Sequence, residues 1–247
     1  MGFKTSYLLP VILAVAVALL FIQPAAKPPP PTQTVEKPKA AIIDTQCLTD
    51  PNWTLVNELR GYLEEAGYQV DVYAGEEVTV DLLWRLPSLG YEVIVFRAHS
   101  LLSPEGEVAL ITGERYTEER YALKQLLGMV HPAVPLTEPN PEMAYFAVTA
   151  KFISNLNGKL DGATVILSGC QSLQNERMAR AFLSKGCRAY VGWSTFVSAS
   201  HADRALRTLI IHVYVDGMAV AEAVEATMRE VGPDPDYNST LRCVLAG

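Results

Sequence analysis

The sequence predicts an α/β fold: a three-layer α/β/α sandwich built around a mostly parallel sheet of about six strands. Three observations carry this expectation. Short apolar runs alternate along the chain with segments whose apolar residues recur at helical spacing. Two of those runs, 92–98 and 163–169, are nearly continuous in Val, Ile, Leu and Phe, as in strands buried on both faces. The chain has 247 residues and is 49% hydrophobic, enough to bury a full-sized core.

In chain order, Ala40-Ala41-Ile42-Ile43-Asp44 reads as the first strand. Asp50 suits an N-cap and Pro51 a first helical residue. Leu55, Val56, Leu59, Tyr62, Leu63 and Ala66 then keep helical spacing until Gly67 stops them. Residues 69–73 alternate and read as a strand, and 80–86 as a short helix ending near Pro87. After the strand at 92–98 comes an insertion. Residues 108–112 and 145–148 read as small strands of a hairpin or flap, 118–130 as a helix and 131–141 as a proline-rich loop. The strand at 163–169 precedes a helix at 173–183, with Met178, Ala179, Phe182 and Leu183 inward and Gly186 as its stop. A strand at 188–193, helices at 203–215 and 219–231 parted by Gly217, and a strand at 241–245 complete the domain.

Three segments divide the chain: 1–22, 23–39 and 40–247. Lys4 precedes sixteen apolar positions, 7–22, close to the shortest run that spans a bilayer, about 17 residues. This reads as a signal-anchor, an N-terminal membrane helix, in preference to a cleaved signal peptide ending near Ala26. Residues 23–39, with Pro28-Pro29-Pro30-Pro31, read as a stiff linker. The layout is that of a membrane-anchored domain held outside the cytoplasm, secreted if the segment is cleaved. A formal net charge of −7 argues against a nucleic-acid partner. Cys47, Cys170, Cys187 and Cys243 form no Cys-x-x-Cys pair, and no His-Glu-x-x-His occurs, so no metal is expected.

Two apolar strands end in chemistry. One leads into His99-Ser100, the other into Cys170-Gln171-Ser172. Ligands of open α/β sheets bind beyond the carboxyl ends of the strands, where a thiol and an imidazole can meet as nucleophile and base. Gly169 is expected to let the chain turn. A helix beginning just after Cys170 is expected to lower its thiol pKa through the positive helix end. His201 is the rival base; His131 and His212 read as structural. Trp193 and Ser194, ending a strand, are expected to wall the substrate pocket. Asp44, ending the first strand, and Asp203, opening a helix, are expected within reach of the same rim; Asp203 reads equally well as a first-turn acid favoured by the helix dipole.

A strand ending in His, an insertion, a strand ending in Gly-Cys-x-Ser and then Gly186-Cys187-Arg188-Ala189-Tyr190-Val191-Gly192-Trp193 resembles the caspase-like (clan CD) cysteine peptidases. That group includes caspases, legumains, clostripain, gingipains, separases and CHAT-domain proteases. Residues 192–228, with Asp203 and the stretch from Gly217 to Ala223, look most like the CHAT and gingipain side, and clostripain stands close to these. The resemblance covers about residues 40–247 and places the two partners 71 residues apart. It implies that Cys170 is the nucleophile, His99 the base, and the Cys170 N–H an oxyanion donor. Those families usually carry Gly after the histidine, where this chain has Ser100. Relatives specific for Arg or Lys can carry an acid two positions before the cysteine, where this chain has Ser168.

The sequence therefore predicts a membrane-tethered cysteine endopeptidase that acts on protein or peptide substrates through a thioester, with no cofactor. The alternative is a non-catalytic caspase-like module for binding or assembly at the membrane surface. A thiol transferase of small molecules on a similar sheet is a third class. The insertion, with Arg115, Arg120 and Lys124, is expected to cover the site and to be nicked on activation.

Overall fold

The computed structural model describes residues 37–103, 106–135 and 143–247. Its strands, in chain order, are β1 (Lys39–Asp44), β2 (Gln69–Ala74), β3 (Tyr91–Arg97), β4 (Ser100–Leu102), β5 (Val108–Arg115), β6 (Val130–Ala133), β7 (Tyr145–Thr149), β8 (Thr164–Ser168), β9 (Ala189–Trp193) and β10 (Leu241–Leu245). The helices are α1 (Trp53–Glu65), α2 (Val80–Leu89), α3 (Ala122–Leu126), α4 (Ala150–Ser154), α5 (Arg177–Ser184), α6 (Ala199–Ile210) and α7 (Val220–Val231).

The main sheet has six strands in the order β10-β9-β8-β3-β1-β2. All neighbours are parallel except β10, which runs antiparallel to β9. The parallel strands thus deliver their carboxyl ends to one rim. Asp44, Arg97 and Ser168 stand level there, in one row across β1, β3 and β8. From β1 the chain builds β2 on one side and β3 on the other, so β1 and β3 flank the topological switch point.

Alternate residues of the strands feed two cores, as the two-residue period of a strand requires. Ile43, Ile94, Phe96, Val165 and Leu167 pack with Leu83 of α2, Phe152 of α4 and Phe182 of α5. Ile42, Val93, Val95, Ile166 and Val191 pack with Leu59 of α1, Leu206 of α6 and Val224 of α7. Both faces of the sheet are covered by helices, which explains the nearly unbroken apolar runs in β3 and β8.

Several sequence expectations shift. Helix α1 is capped by Asn52, whose side chain accepts the Leu55 N–H at 3.2 Å, so Asp50 and Pro51 lie before the cap. Pro87 lies inside α2, and Gly90 in the left-handed region is the stop. Helix α6 starts at Ala199, ahead of the expected 203, and runs on through a π-helical turn, Ile211–Val215. The insertion is more ordered than a flap: its four strands form a second antiparallel sheet, β4-β5-β7-β6. Part of the expected proline-rich loop is β6, which tolerates Pro132 because it is an edge strand. The helix expected over 118–130 shrinks to α3, while α4 follows the Thr149 cap unforeseen. No helix of the described residues is long and apolar enough to cross a membrane. The anchor expected at 1–22, and the linker as far as 36, lie outside the described residues.

Candidate active site

Strands β3 and β8 are neighbours, and Ala98 N–H donates to the Ser168 carbonyl at 3.3 Å just past their last ladder row. His99 and Cys170 each follow within two residues of that row. Both line one pocket of about 260 Å³. Adjacency in the sheet, rather than in sequence, brings the thiol and the imidazole together.

Ser100 and Gly169 hold the two strand ends close. The Ser100 hydroxyl donates to the Cys170 carbonyl at 2.5 Å. A Cβ at Gly169 would stand 2.4 Å from the Ala98 carbonyl oxygen and 2.6 Å from Ser100 Oγ. Glycine is needed here for space, not for a turn. The turn is made one residue beyond the cysteine, where Gln171 takes a left-handed conformation at φ 58°. Ser100 is a β4 residue and is not among the positive-φ positions, so its side chain meets no backbone conflict.

The thiol environment differs from the sequence expectation. Cys170 lies in a turn, and α5 begins only at Arg177, so the helix expected just after the cysteine starts seven residues on; the first residues of α6, Ala199 and Ala202, line the same pocket as the sulfur. Burial holds the Cys170 thiol above its ordinary pKa; the backbone at Val197 and the cysteine's own amide oppose it, and the Asp234 carboxylate adds to it. The thiol donates to the Val197 carbonyl at 3.4 Å.

His99 is half-buried. Its Nε2 lies 2.6 Å from Thr49 Oγ1, and the Thr49 hydroxyl hydrogen can go to the Gln46 carbonyl at 3.2 Å. With that hydrogen spent, Oγ1 accepts from Nε2–H and Nδ1 carries the free lone pair. Burial, then the nearby Arg97 charge, pulls the imidazole below its ordinary pKa, and Asp50 opposes them. Among the described residues no hydrogen bond joins His99 to Cys170; each is held by its own partner. Both shifts run the same way, toward an uncharged thiol and an uncharged imidazole.

Four residues expected at the rim do not line this pocket. Asp44 and Asp203 are buried and bind Arg97, whose Nη1 donates to Asp44 Oδ1 at 3.2 Å. Trp193 is fully buried with its ring edge-on to His201, 5.7 Å between centroids. Ser194 Oγ accepts the Thr240 N–H at 3.0 Å, on the β10 side. The rival base His201 has its ring nitrogens against the Gly232 carbonyl and the Arg204 guanidinium. The walls come instead from residues the sequence reading did not single out: Gln46, Leu101, Ile111, Phe196, Val197 and Tyr237. Thr49 and Arg97 were missed as well. Arg97 carried a signal, a lone cation closing an otherwise apolar run; Thr49 carried none.

Among the described residues no group of three His, Cys, Asp or Glu side chains is placed to hold a metal ion. The chain matches no protein-family model, and no curated protein matches it.

Proposed function

We propose that this protein is a cysteine endopeptidase of the caspase-like type, tethered to a membrane by residues 7–22 with its catalytic domain outside the cytoplasm. The observation that carries the reading is the single pocket lined by both His99 and Cys170 at the ends of neighbouring strands. In the reaction, Cys170 Sγ attacks the scissile carbonyl carbon while His99 takes the thiol proton. The C–N bond then breaks, His99 protonates the leaving amine, and a thioester remains. Water hydrolyses the thioester, which releases the acid and restores the thiol. The backbone N–H groups of Cys170 and Ser100 are the proposed oxyanion donors. Because the His99 carbonyl accepts the Ile111 N–H, the Ser100–Leu110 row is of the non-hydrogen-bonded kind, and the Ser100 N–H is not spent on β5.

The raised thiol pKa and the separate partners of thiol and imidazole favour a second reading, a non-catalytic module of the same fold. Competitive alkylation separates the two. Full-length chain is treated with iodoacetamide, the four thiols are followed by peptide mapping, and cleavage of a broad peptide library is measured in parallel. The peptidase reading expects Cys170 to react ahead of Cys47, Cys187 and Cys243, and cleavage to be lost in step. Equal labelling of all four with no cleavage of any peptide supports the module.

A further inference from the structure

One wall of the pocket comes from two loops rather than from strands: Phe196, Val197 and Ser198 between β9 and α6, and Tyr237 between α7 and β10. The first loop holds the Cys170 turn at two points. The Thr195 carbonyl accepts the Gln171 N–H at 2.8 Å, and the Val197 carbonyl accepts the Cys170 thiol at 3.4 Å. A carboxylate joins the two loops. Asp234, 1% exposed, accepts from the Ser198 amide at 2.9 Å, the Ser198 hydroxyl at 2.6 Å and the amides of Asp236 and Tyr237 at 2.9 Å. Ser198 is the N-cap residue of α6, a place where a serine ordinarily accepts from the first helical amides. Its hydroxyl goes to Asp234 instead of capping the helix. A local rule broken in this way is expected at functional sites.

We infer that Asp234 is a positioning residue for Cys170 and acts through Ser198. The inference rests on the peptidase reading above, in which Cys170 is the nucleophile. The Ser198 N–H and the Val197 carbonyl are the two ends of one planar peptide unit, and in a trans unit they point opposite ways. Asp234 grips the N–H end, so the carbonyl end is aimed at the thiol. The second bond, from the Ser198 hydroxyl, stops the unit from rocking about the first. Bonds to a carboxylate are the stronger kind, and four donors leave this one little freedom to turn. The sulfur thus has a defined resting place beside the pocket, and part of the entropy of placing it is lost before a substrate arrives.

The test compares full-length chain with Ser198→Ala and Ser198→Thr. Ser198→Ala removes the hydroxyl bond and keeps the backbone amide bond to Asp234, so it loosens the clamp without emptying it. Two rates are read: peptide cleavage, split into kcat and KM, and iodoacetamide labelling of the four thiols by peptide mapping. In the labelling a sulfur–carbon bond forms, iodide leaves and the thiol proton is lost. Ser198→Ala is expected to lower kcat about tenfold with KM little changed. Labelling of Cys170 is expected to rise about threefold, because a small reagent gains from a freed sulfur that a peptide needs held. Cys187, 1% exposed, should keep its slow rate. Ser198→Thr retains the hydroxyl and should recover most of the cleavage. Cleavage and Cys170 labelling both unchanged in Ser198→Ala would overturn the inference. So would Cys187 labelling that rises with that of Cys170, since the whole domain would then have loosened. An equal loss in Ser198→Thr would assign the effect to fit at this position and overturn it too. No cleavage by the unmodified chain would overturn the peptidase reading alone; a labelling change confined to Cys170 would still support the clamp.

Discussion

The Arg97 guanidinium holds Asp203 in a two-pronged grip, Nε to Oδ1 at 2.8 Å and Nη2 to Oδ2 at 2.9 Å. These residues are 106 apart in sequence. The pair joins the end of β3 to the first turns of α6 across the switch point, and Asp44 completes it from β1. Asn52 also donates to Asp203 Oδ2 at 2.9 Å and so adds the cap of α1. The whole cluster sits immediately before His99, and its geometry sets where that residue emerges.

Breaking this grip should unfold the domain before it affects chemistry. Arg97→Met leaves Asp44 and Asp203 buried without their cation, a loss of about 3–5 kcal/mol. Urea unfolding of full-length chain measures it. A change below about 1 kcal/mol would mean that the carboxylates find other partners.

Gly169→Ala tests the close approach of the strand ends. The new Cβ would press on backbone, the Ala98 carbonyl oxygen at 2.4 Å, and backbone cannot swing aside as a side chain does. We expect a stability loss of about 1–3 kcal/mol and loss of peptide cleavage. A fully active, equally stable variant would show that the two strand ends have room to part.

Thr49 positions His99 and so should govern its tautomer. Thr49→Val keeps the shape and removes the acceptor for Nε2–H. We expect kcat/KM to fall about 10–100-fold with KM little changed, and Thr49→Ser to restore most of it. An unaltered rate in Thr49→Val, or failure of Ser to rescue, would assign Thr49 to packing alone.

The pH dependence follows from burial of His99 beside Arg97. The folded imidazole has a pKa below its unfolded value of about 6.5. Between the two values the unfolded chain binds more protons, so stability is full above about pH 7 and falls as pH drops through that window. Urea midpoints between about pH 7.5 and 5 should drop more in the unmodified chain than in His99→Gln. The acid limb of cleavage should lie below the ordinary histidine range, because the base stays neutral there. Because the thiol is also held protonated, loss of activity in His99→Ala should shrink as pH rises. An acid limb above the ordinary histidine value would mean that a different group is the base.

Much of the architecture was legible because its cause is local. The apolar runs of β1, β3 and β8 and the helical spacing of α1 and α7 are written in consecutive residues, and so are the strand ends that present His99 and Cys170. What escaped depends on partners distant in sequence. Asp44 and Asp203 looked like rim acids because nothing near them in the chain discloses Arg97. Trp193 looked like a pocket wall, yet the ring lies in the core among Val191, Leu206 and Leu241. The helix expected over 173–183 begins only at Arg177, because Leu173 N–H donates to the Trp193 carbonyl and Ser172 Oγ to that of Leu167, which commits the preceding segment to a turn. The second sheet was read as a flap because β4 and β6 are short and β6 carries a proline.

The central claim is that Cys170 is the nucleophile and His99 its base. The most direct test is the rate of peptide cleavage by full-length chain and by Cys170→Ala, His99→Ala and His201→Ala, each checked for folding. The account predicts no cleavage with Cys170→Ala, a loss of about 100-fold or more with His99→Ala at neutral pH, and most activity kept with His201→Ala. Cleavage that survives Cys170→Ala would contradict the account.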